Sequence, residues 1–403
     1  MSAVVYPLNI SSARELADAL DRLGADPRSN TYFQPKRRVR HFFVKQADFR
    51  AAAYMKQEML ARGGDAAVAK HVIDGKTDRS DVLLMGTDGQ YSALAQKMEA
   101  MDCWELKELR ASLTEALCVA SAWVIPLSGG RELRLGADTK IMGILNLTED
   151  SFHSASRVKT LDDLLDRAAS MLRDGADVLD LGAESTRPGA KPLAEGEELA
   201  RLLPALKALR EAFPDAVLSV DTYKGNVALA AAGTGADIIN DVGGFGLDPA
   251  MLSCVVRAGL PYVLSHIKGT PENMQDAPAY NDLLSELHVY FREKIQQTER
   301  AGLPRERLIL DPGLGFGKRV QDNLLILKEV ESLSVFGRPI LVGYSRKKFT
   351  ETLEVPAEKW DARLASTAAL SALAEGRVQL TRVHDVRENR RALLTARALR
   401  ETF

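Results

Sequence analysis

Eight short apolar runs, separated by segments of helical periodicity, fill the last two thirds of this chain and constrain its fold more than any other feature. They lie at residues 141–145, 178–181, 217–220, 238–239 with Val242, 262–264, 308–310, 340–342 and 378–383. They lack clean alternation of apolar and polar residues, as parallel strands covered on both faces should. Helical patterns separate them at 161–173, with Thr160 as N-cap and Gly175 as stop, and at 199–213, 226–232, 283–302, 323–331 and 363–374. Eight strand–helix units predict an α/β chain wound into a (β/α)8 TIM barrel, which typically takes about 250 residues. An open doubly wound sheet is the alternative, but no GxGxxG follows the first run, and the glycines of DPGLGFGK (311–318) come after the sixth. Upstream, 123–127 and 132–135 flank the turn-rich Ser128-Gly129-Gly130-Arg131, a hairpin placed to plug the barrel floor.

At 403 residues the chain is too long for one typical core. Two domains are expected: 1–122, a small α/β accessory domain of unknown role, and 123–403, the barrel with its hairpin. In the first, helices are expected at 11–23, 51–61, 94–101 and 106–117, and strands at 39–44, 66–73 and 82–85. His41 and His71 stand beside apolar strands and read as packed histidines. No chemistry is visible there.

A net charge of -2 and a pI near 6.4 give no case for bulk nucleic-acid binding. Three scattered cysteines form no metal or CxxC spacing and read as reduced thiols. Neither a signal peptide nor an apolar run long enough to span a membrane is evident, so a cytoplasmic protein is expected.

In a barrel of this kind chemistry belongs at the strand ends. Asn146 closes the first run, Glu184 to Arg187 the second, Asp221 the third and Asn240-Asp241 the fourth. His266 closes the fifth, Asp311 the sixth, Ser345 to Lys347 the seventh, and Arg382 with His384 the eighth. Strands often end in polar residues, which explains one or two of these but not eight. Asp221, Asn240, Asp311 and Lys347 suit the edge of a flat heterocycle carrying both donors and acceptors. Asn146, Thr186, Arg187, Arg382 and His384 suit an oxyanion with a hard cation.

The stretches MGILNLTEDSF (142–152), GADVLDLGAESTRPGA (175–190), SVDTYK (219–224) and IINDVGG (238–244) follow one another along the chain. HIKGTPENMQ (266–275), DPGLGFGK, GYSRK (343–347) and RVHDV (382–386) complete the set. In this order they resemble dihydropteroate synthases, over roughly residue 126 to the C-terminus. The resemblance implies a transferase joining 7,8-dihydropterin-6-ylmethyl diphosphate to p-aminobenzoate in folate synthesis. It implies that Asp221, Asn240, Asp311 and Lys347 hold the pterin, with Phe316 and Gly343 lining its pocket. Asn146, Thr186, Arg187, Arg382 and His384 would hold diphosphate, with Mg²⁺ near Asn146. Phe152, Pro188 and Ser345 would meet p-aminobenzoate. Asp311, Arg187, Arg382 and Lys347 would carry the catalysis. Small-molecule substrates and a homodimer are the partners expected, with neither nucleic acid nor membrane.

The chain departs from the family pattern in places. Glu149 stands where the family has Pro, and His153-Ser154-Ala155-Ser156 where its first loop has Ser-Asp-Gly-Gly. Ser265 and Ile267, not methionines, flank His266. Two rival readings remain. One is a methyltetrahydrofolate:corrinoid methyltransferase, which has no need of STRPG, GYSRK or RVHDV. The other is a non-catalytic pterin-binding protein.

Overall fold

The computed structural model describes residues 10, 12–118, 120, 122–147, 161–185, 192–350 and 360–401. The assignments of Phe152, Thr186, Arg187 and Pro188, the departures at 149 and 153–156, and the cap at Thr160 fall outside them. The chain divides into two compact units, Met1–Val119 and Ala120–Thr402.

The first unit is a three-stranded antiparallel sheet of β1 (Val39–Asp48), β2 (Asp65–Val68) and β3 (Arg79–Thr87), with β3 central. Helices Phe49–Ala61 and Asp88–Met98 close its core through Met55, Met59, Tyr91, Leu94 and Met98 against Val82 and Leu84. Helix Ala13–Arg22 starts at Ser12. Its hydroxyl accepts from the Glu15 N–H at 3.1 Å while the Glu15 carboxylate accepts from the Ser12 N–H at 3.0 Å, a reciprocal cap. Several expectations change here, the helix expected at 94–101 running instead over Asp88–Met98. The 66–73 run is a strand only to Val68, because the Ser80 hydroxyl takes the Ala69 N–H and a 3-10 turn, Lys70–Val72, follows. His41 and His71 are exposed rather than packed, His71 pairing with Asp74 at 3.1 Å.

The second unit is the barrel. Its strands are preceded by the hairpin of β4 (Trp123–Pro126) and β5 (Glu132–Leu135). They are β6 (Lys140–Asn146), β7 (Val178–Gly182), β8 (Leu218–Asp221), β9 (Ile238–Asp241), β10 (Tyr262–Ser265), β11 (Leu308–Asp311), β12 (Leu341–Val342) and β13 (Leu380–Val383). All eight pair in parallel in the order β11-β10-β9-β8-β7-β6-β13-β12, and a bridge between Leu310 and Ile340 closes the ring. Helices Met251–Ala258 and Val386–Glu401, which no run of periodicity had announced, complete the outer layer. Helix Glu195–Ala212 begins four residues before the expected 199, with Glu195, Glu197 and Glu198 in its first turn, where the helix dipole favours anions.

Successive strand residues point to opposite faces, and the two faces differ. Leu179, Leu181, Val220, Ile239, Leu264, Leu310 and Val342 share a core with helix residues such as Leu164, Leu206 and Phe291, so they face outward. Met142, Val178, Ile238, Val263, Ile309, Leu341 and Leu380 point inward. They pack on Trp123, Ile125, Leu127, Leu133 and Leu135, so the hairpin fills the floor. The indole of Trp123 fixes it there by donating to the Gly337 carbonyl at 2.8 Å. Among the described residues no helix is long and apolar enough to cross a membrane.

Candidate active site

Two residues above that apolar floor, the inward positions of β7, β9, β10, β11 and β13 turn polar, that after β12 is a glycine, and that of β6 stays apolar at Ile144. Val178 is followed by Asp180, Ile238 by Asn240, Ile309 by Asp311, Leu341 by Gly343 and Leu380 by Arg382. Asn146, Asp221, Ser345 and His384 belong to the level above. The strand ends therefore meet in one mouth, and its centre is Arg382. The guanidinium donates from Nε to Asp180 Oδ2 at 2.6 Å and from Nη2 to Asp221 Oδ2 at 2.5 Å. Asn240 Nδ2 donates to the same Asp180 oxygen at 3.1 Å.

Two glycines leave the centre open. A Cβ on Gly182 would lie 3.4 Å from Asp221 Cβ and 3.8 Å from Asn146 Oδ1, so bare backbone separates those two side chains. A Cβ on Gly343 would lie 3.8 Å from Arg382 Cβ and 3.9 Å from Lys347 Nζ. Lys347 donates to the Leu314 carbonyl and stands 4.3 Å from the centre of the Phe316 ring, a cation over an aromatic face. Asp311 accepts from the Gly313 N–H at 2.8 Å.

Burial dominates the electrostatics. It pushes Asp221 up to about 7, against the pull of Arg382 and with the help of the Asp180 charge. It raises Asp311 too, with Lys347 opposing. Burial lowers Lys347 to about 8, Asp311 resisting. It also disfavours the Arg382 charge, but Asp180 and Asp221 outweigh it and hold that proton more firmly than in a free arginine. The mouth thus holds groups whose charge a ligand can alter at neutral pH.

The walls are cross-tied. Ser345 Oγ lies 3.1 Å from His384 Nδ1 and accepts from the His384 N–H at 3.3 Å. Arg346 grips Asp385 with two hydrogen bonds, at 3.1 and 2.6 Å. Lys318 is buried, and among the described residues no carboxylate bonds it. Its ammonium meets His266 Nδ1 at 2.8 Å and the carbonyls of Gly313 at 2.9 Å and Phe316 at 3.0 Å, tying the loop after β11 to that after β10. Burial lowers Lys318 to about 7 and His266 to about 2, so the imidazole stays neutral and accepts. Glu184, at the root of the 186–191 stretch, accepts from Tyr223 at 2.6 Å and pairs with Lys224, which also bonds Glu198 at 2.5 Å.

Of the residues picked from sequence, Asn146, Asp221, Asn240, Asp311, Phe316, Gly343, Ser345, Lys347, Arg382 and His384 are described, and all belong to this mouth. Asp180 and Lys318 were missed as functional candidates. The signal for Asp180 was available: an acid inside the apolar run VLDLG. Among the described residues no group of three His, Cys, Asp or Glu could hold a metal.

A family model described as pterin binding enzyme matches residues 142–384. The chain is similar to a probable bifunctional folylpolyglutamate synthase/dihydropteroate synthase of Halobacterium salinarum. The two are 36% identical over 398 residues, which is 97% of this chain and 47% of the relative. With dihydropteroate synthase of Escherichia coli K12 the identity is 40% over 260 residues, 64% of this chain and 90% of the relative. A crystal structure of Yersinia pestis dihydropteroate synthase with a sulfonamide drug complex superposes with a TM-score of 0.65 at 38% identity, covering 69% of this chain and 100% of that one. The chain spans about half the length of the haloarchaeal relative. That match takes in the first unit, whereas the Escherichia coli match is confined to about two thirds of the chain.

Proposed function

The chain belongs to the family of pterin-binding enzymes, and from that premise we propose that it is a dihydropteroate synthase. It condenses 7,8-dihydropterin-6-ylmethyl diphosphate with p-aminobenzoate, releasing diphosphate, in folate synthesis. The observation that carries this reading is the single mouth in which Asp221, Asp311 and Lys347 stand beside Arg382. Ring-gripping and anion-gripping groups are within reach of one small molecule there.

In this reading Asp221, Asn240, Asp311 and Lys347 hold the pterin edge, and Phe316 and Gly343 form its wall. Arg382, His384, Asn146, Thr186 and Arg187 hold the diphosphate. Phe152, Pro188 and Ser345 hold p-aminobenzoate, and the Ser345–His384 hydrogen bond joins the amine side to the anion side. The bond between the pterin methylene carbon and the diphosphate oxygen breaks, its electron pair leaving with diphosphate. The amine lone pair forms the new C–N bond, and the amine proton passes to solvent. Asp311, buried beneath the ring, stabilises positive charge developing at the methylene, and Arg382 and Arg187 stabilise the departing anion.

Mg²⁺ commonly takes one or two protein oxygens and completes its shell from phosphate and water. Asn146 Oδ1, a neutral oxygen 3.8 Å from where a Cβ at Gly182 would lie, would be one protein ligand for a metal that arrives with the diphosphate. When bound it neutralises phosphate charge. A cytoplasmic homodimer is part of the same reading, the dimer being measurable by light scattering.

A diphosphate-release assay tests the function. Release that depends on p-aminobenzoate, and fails in Asp221→Ala with loss of pterin binding by calorimetry, is the expected result. Pterin binding with no diphosphate release under any condition leaves only a binding protein and overturns it.

A further inference from the structure

We propose that Asp180, which lies outside every motif-derived assignment, is the positioning residue of the ring pocket: it fixes the orientation of the Asn240 amide and keeps Arg382 from closing over Asp221. The inference rests on the pterin reading above and deepens it.

The geometry is specific. One oxygen of Asp180 accepts from both Arg382 Nε, at 2.6 Å, and Asn240 Nδ2, at 3.1 Å. Asp180 is fully buried, and its other oxygen has no partner among the described residues. A carboxylate only accepts, so Asn240 must turn its NH2 downward. Its carbonyl oxygen is what remains for a ring above. An asparagine free to flip would offer donor or acceptor alike; this one offers an acceptor, and so selects a ring N–H at that point.

The second consequence concerns Arg382. Its fork is shared, Nε to Asp180 and Nη2 to Asp221. Because Asp180 anchors it, Arg382 stays in place when Asp221 turns an oxygen to an incoming ring. Without that anchor the guanidinium can close on Asp221 with two parallel hydrogen bonds, the strongest pairing open to it. The ring would then compete with an arginine for its own carboxylate.

This role predicts a change that loss of packing does not. The charged groups that act on Asp221 are Arg382 of β13, Asp180 of β7, Asp241 of β9, Glu198 of helix Glu195–Ala212 and, from the loop after β12, Lys347. Asp180 raises the Asp221 proton affinity and Arg382 lowers it. Neutralising Asp180 removes one push upward and strengthens the pull downward, so Asp221 should ionise at lower pH.

The test is calorimetric binding of 6-hydroxymethylpterin from about pH 5 to about pH 9 to the full-length wild type and Asp180→Asn. The variant should bind roughly 10- to 100-fold more weakly, the cost of an impaired hydrogen bond to a charged group. The pH midpoint of binding should lie lower in the variant than in the wild type, by about one unit. If the wild type itself does not bind, the functional reading falls and this inference with it. If the wild type binds and Asp180→Asn matches its affinity and midpoint, only the role of Asp180 falls. Asp180→Ser, which leaves space for a water, replaces Asp180→Asn if the latter does not fold. Failure of both to fold assigns the carboxylate to barrel integrity and overturns the proposal.

Discussion

Replacing Arg382 by Met tests the electrostatic account of the mouth independently of any substrate. The side chain keeps its approximate length, but two buried carboxylates lose the cation that meets them at 2.6 and 2.5 Å. Removing one partner from a buried ion pair costs about 3–5 kcal/mol, because a charge is left without compensation. The penalty should depend on pH. Asp221 in the folded wild type holds its proton up to about 7 against a usual 3.8. The folded state therefore binds more protons than the unfolded chain inside that window, and stability falls as pH rises through it. Without Arg382 the folded pKa moves higher and the window lengthens. Between about pH 6 and pH 8 the wild type should lose on the order of 1 kcal/mol from this group, and a variant protonated past pH 8 roughly twice that. The penalty should thus be smaller at pH 6 by on the order of 1 kcal/mol. Urea unfolding followed by tryptophan fluorescence at both pH values measures it. A penalty equal at the two, or larger at pH 6, refutes the reasoning.

Lys318, lowered to about 7 from 10.5, works in the opposite sense. The folded state binds fewer protons than the unfolded chain between those values, so its contribution to stability improves as pH rises, by up to about 1.4 kcal/mol per unit. Thermal melts of Lys318→Met from about pH 7 to pH 9 should show a flatter profile than wild type. Gly313→Ala should cost several kcal/mol or abolish folding, since its Cβ would fall 1.9 Å from the His266 carbonyl oxygen at a backbone φ of 68°; a melting temperature within a degree or so of wild type would contradict this. Trp123→Ala should lose roughly 3–5 kcal/mol in chemical denaturation, through a cavity at the floor and a broken bond to Gly337.

The barrel was readable because parallel strands with both faces covered leave apolar runs, and most polar residues at the ends of these runs turn to the mouth, Asp241 being the exception that turns to Tyr262. Asp221, Asp311 and Arg382 stood out for that reason. Asp180 did not, because it lies inside a run, one turn of the pleat below the rim, where an acid looks like a blemish in a strand. Its partners are distant in sequence, at 240 and 382, and only ring closure brings them to it. Lys318 escaped for a related reason: its ligands are backbone carbonyls, and no residue type advertises those. The helix Met251–Ala258 is short, and its apolar residues merge with the strand that follows. In the first unit the strands were underestimated. β1 starts at the expected Val39 but runs on through Lys45, Gln46, Ala47 and Asp48, where three polar residues hide the strand.

The division of each strand between an oily outer row and an inner row that changes character halfway up has a thermodynamic consequence. Slide β7 or β11 by a single residue and a leucine enters the cavity while Asp180 or Asp311 turns toward the helices. A half-assembled ring therefore presents no partial version of the pocket. Any ligand that grips several inner-row groups at once recognises only the completed ring, so it raises the cooperative unfolding free energy by RT ln(1 + L/Kd), with L the free ligand concentration. Ligand occupancy and the integrity of the whole second unit then rise and fall together.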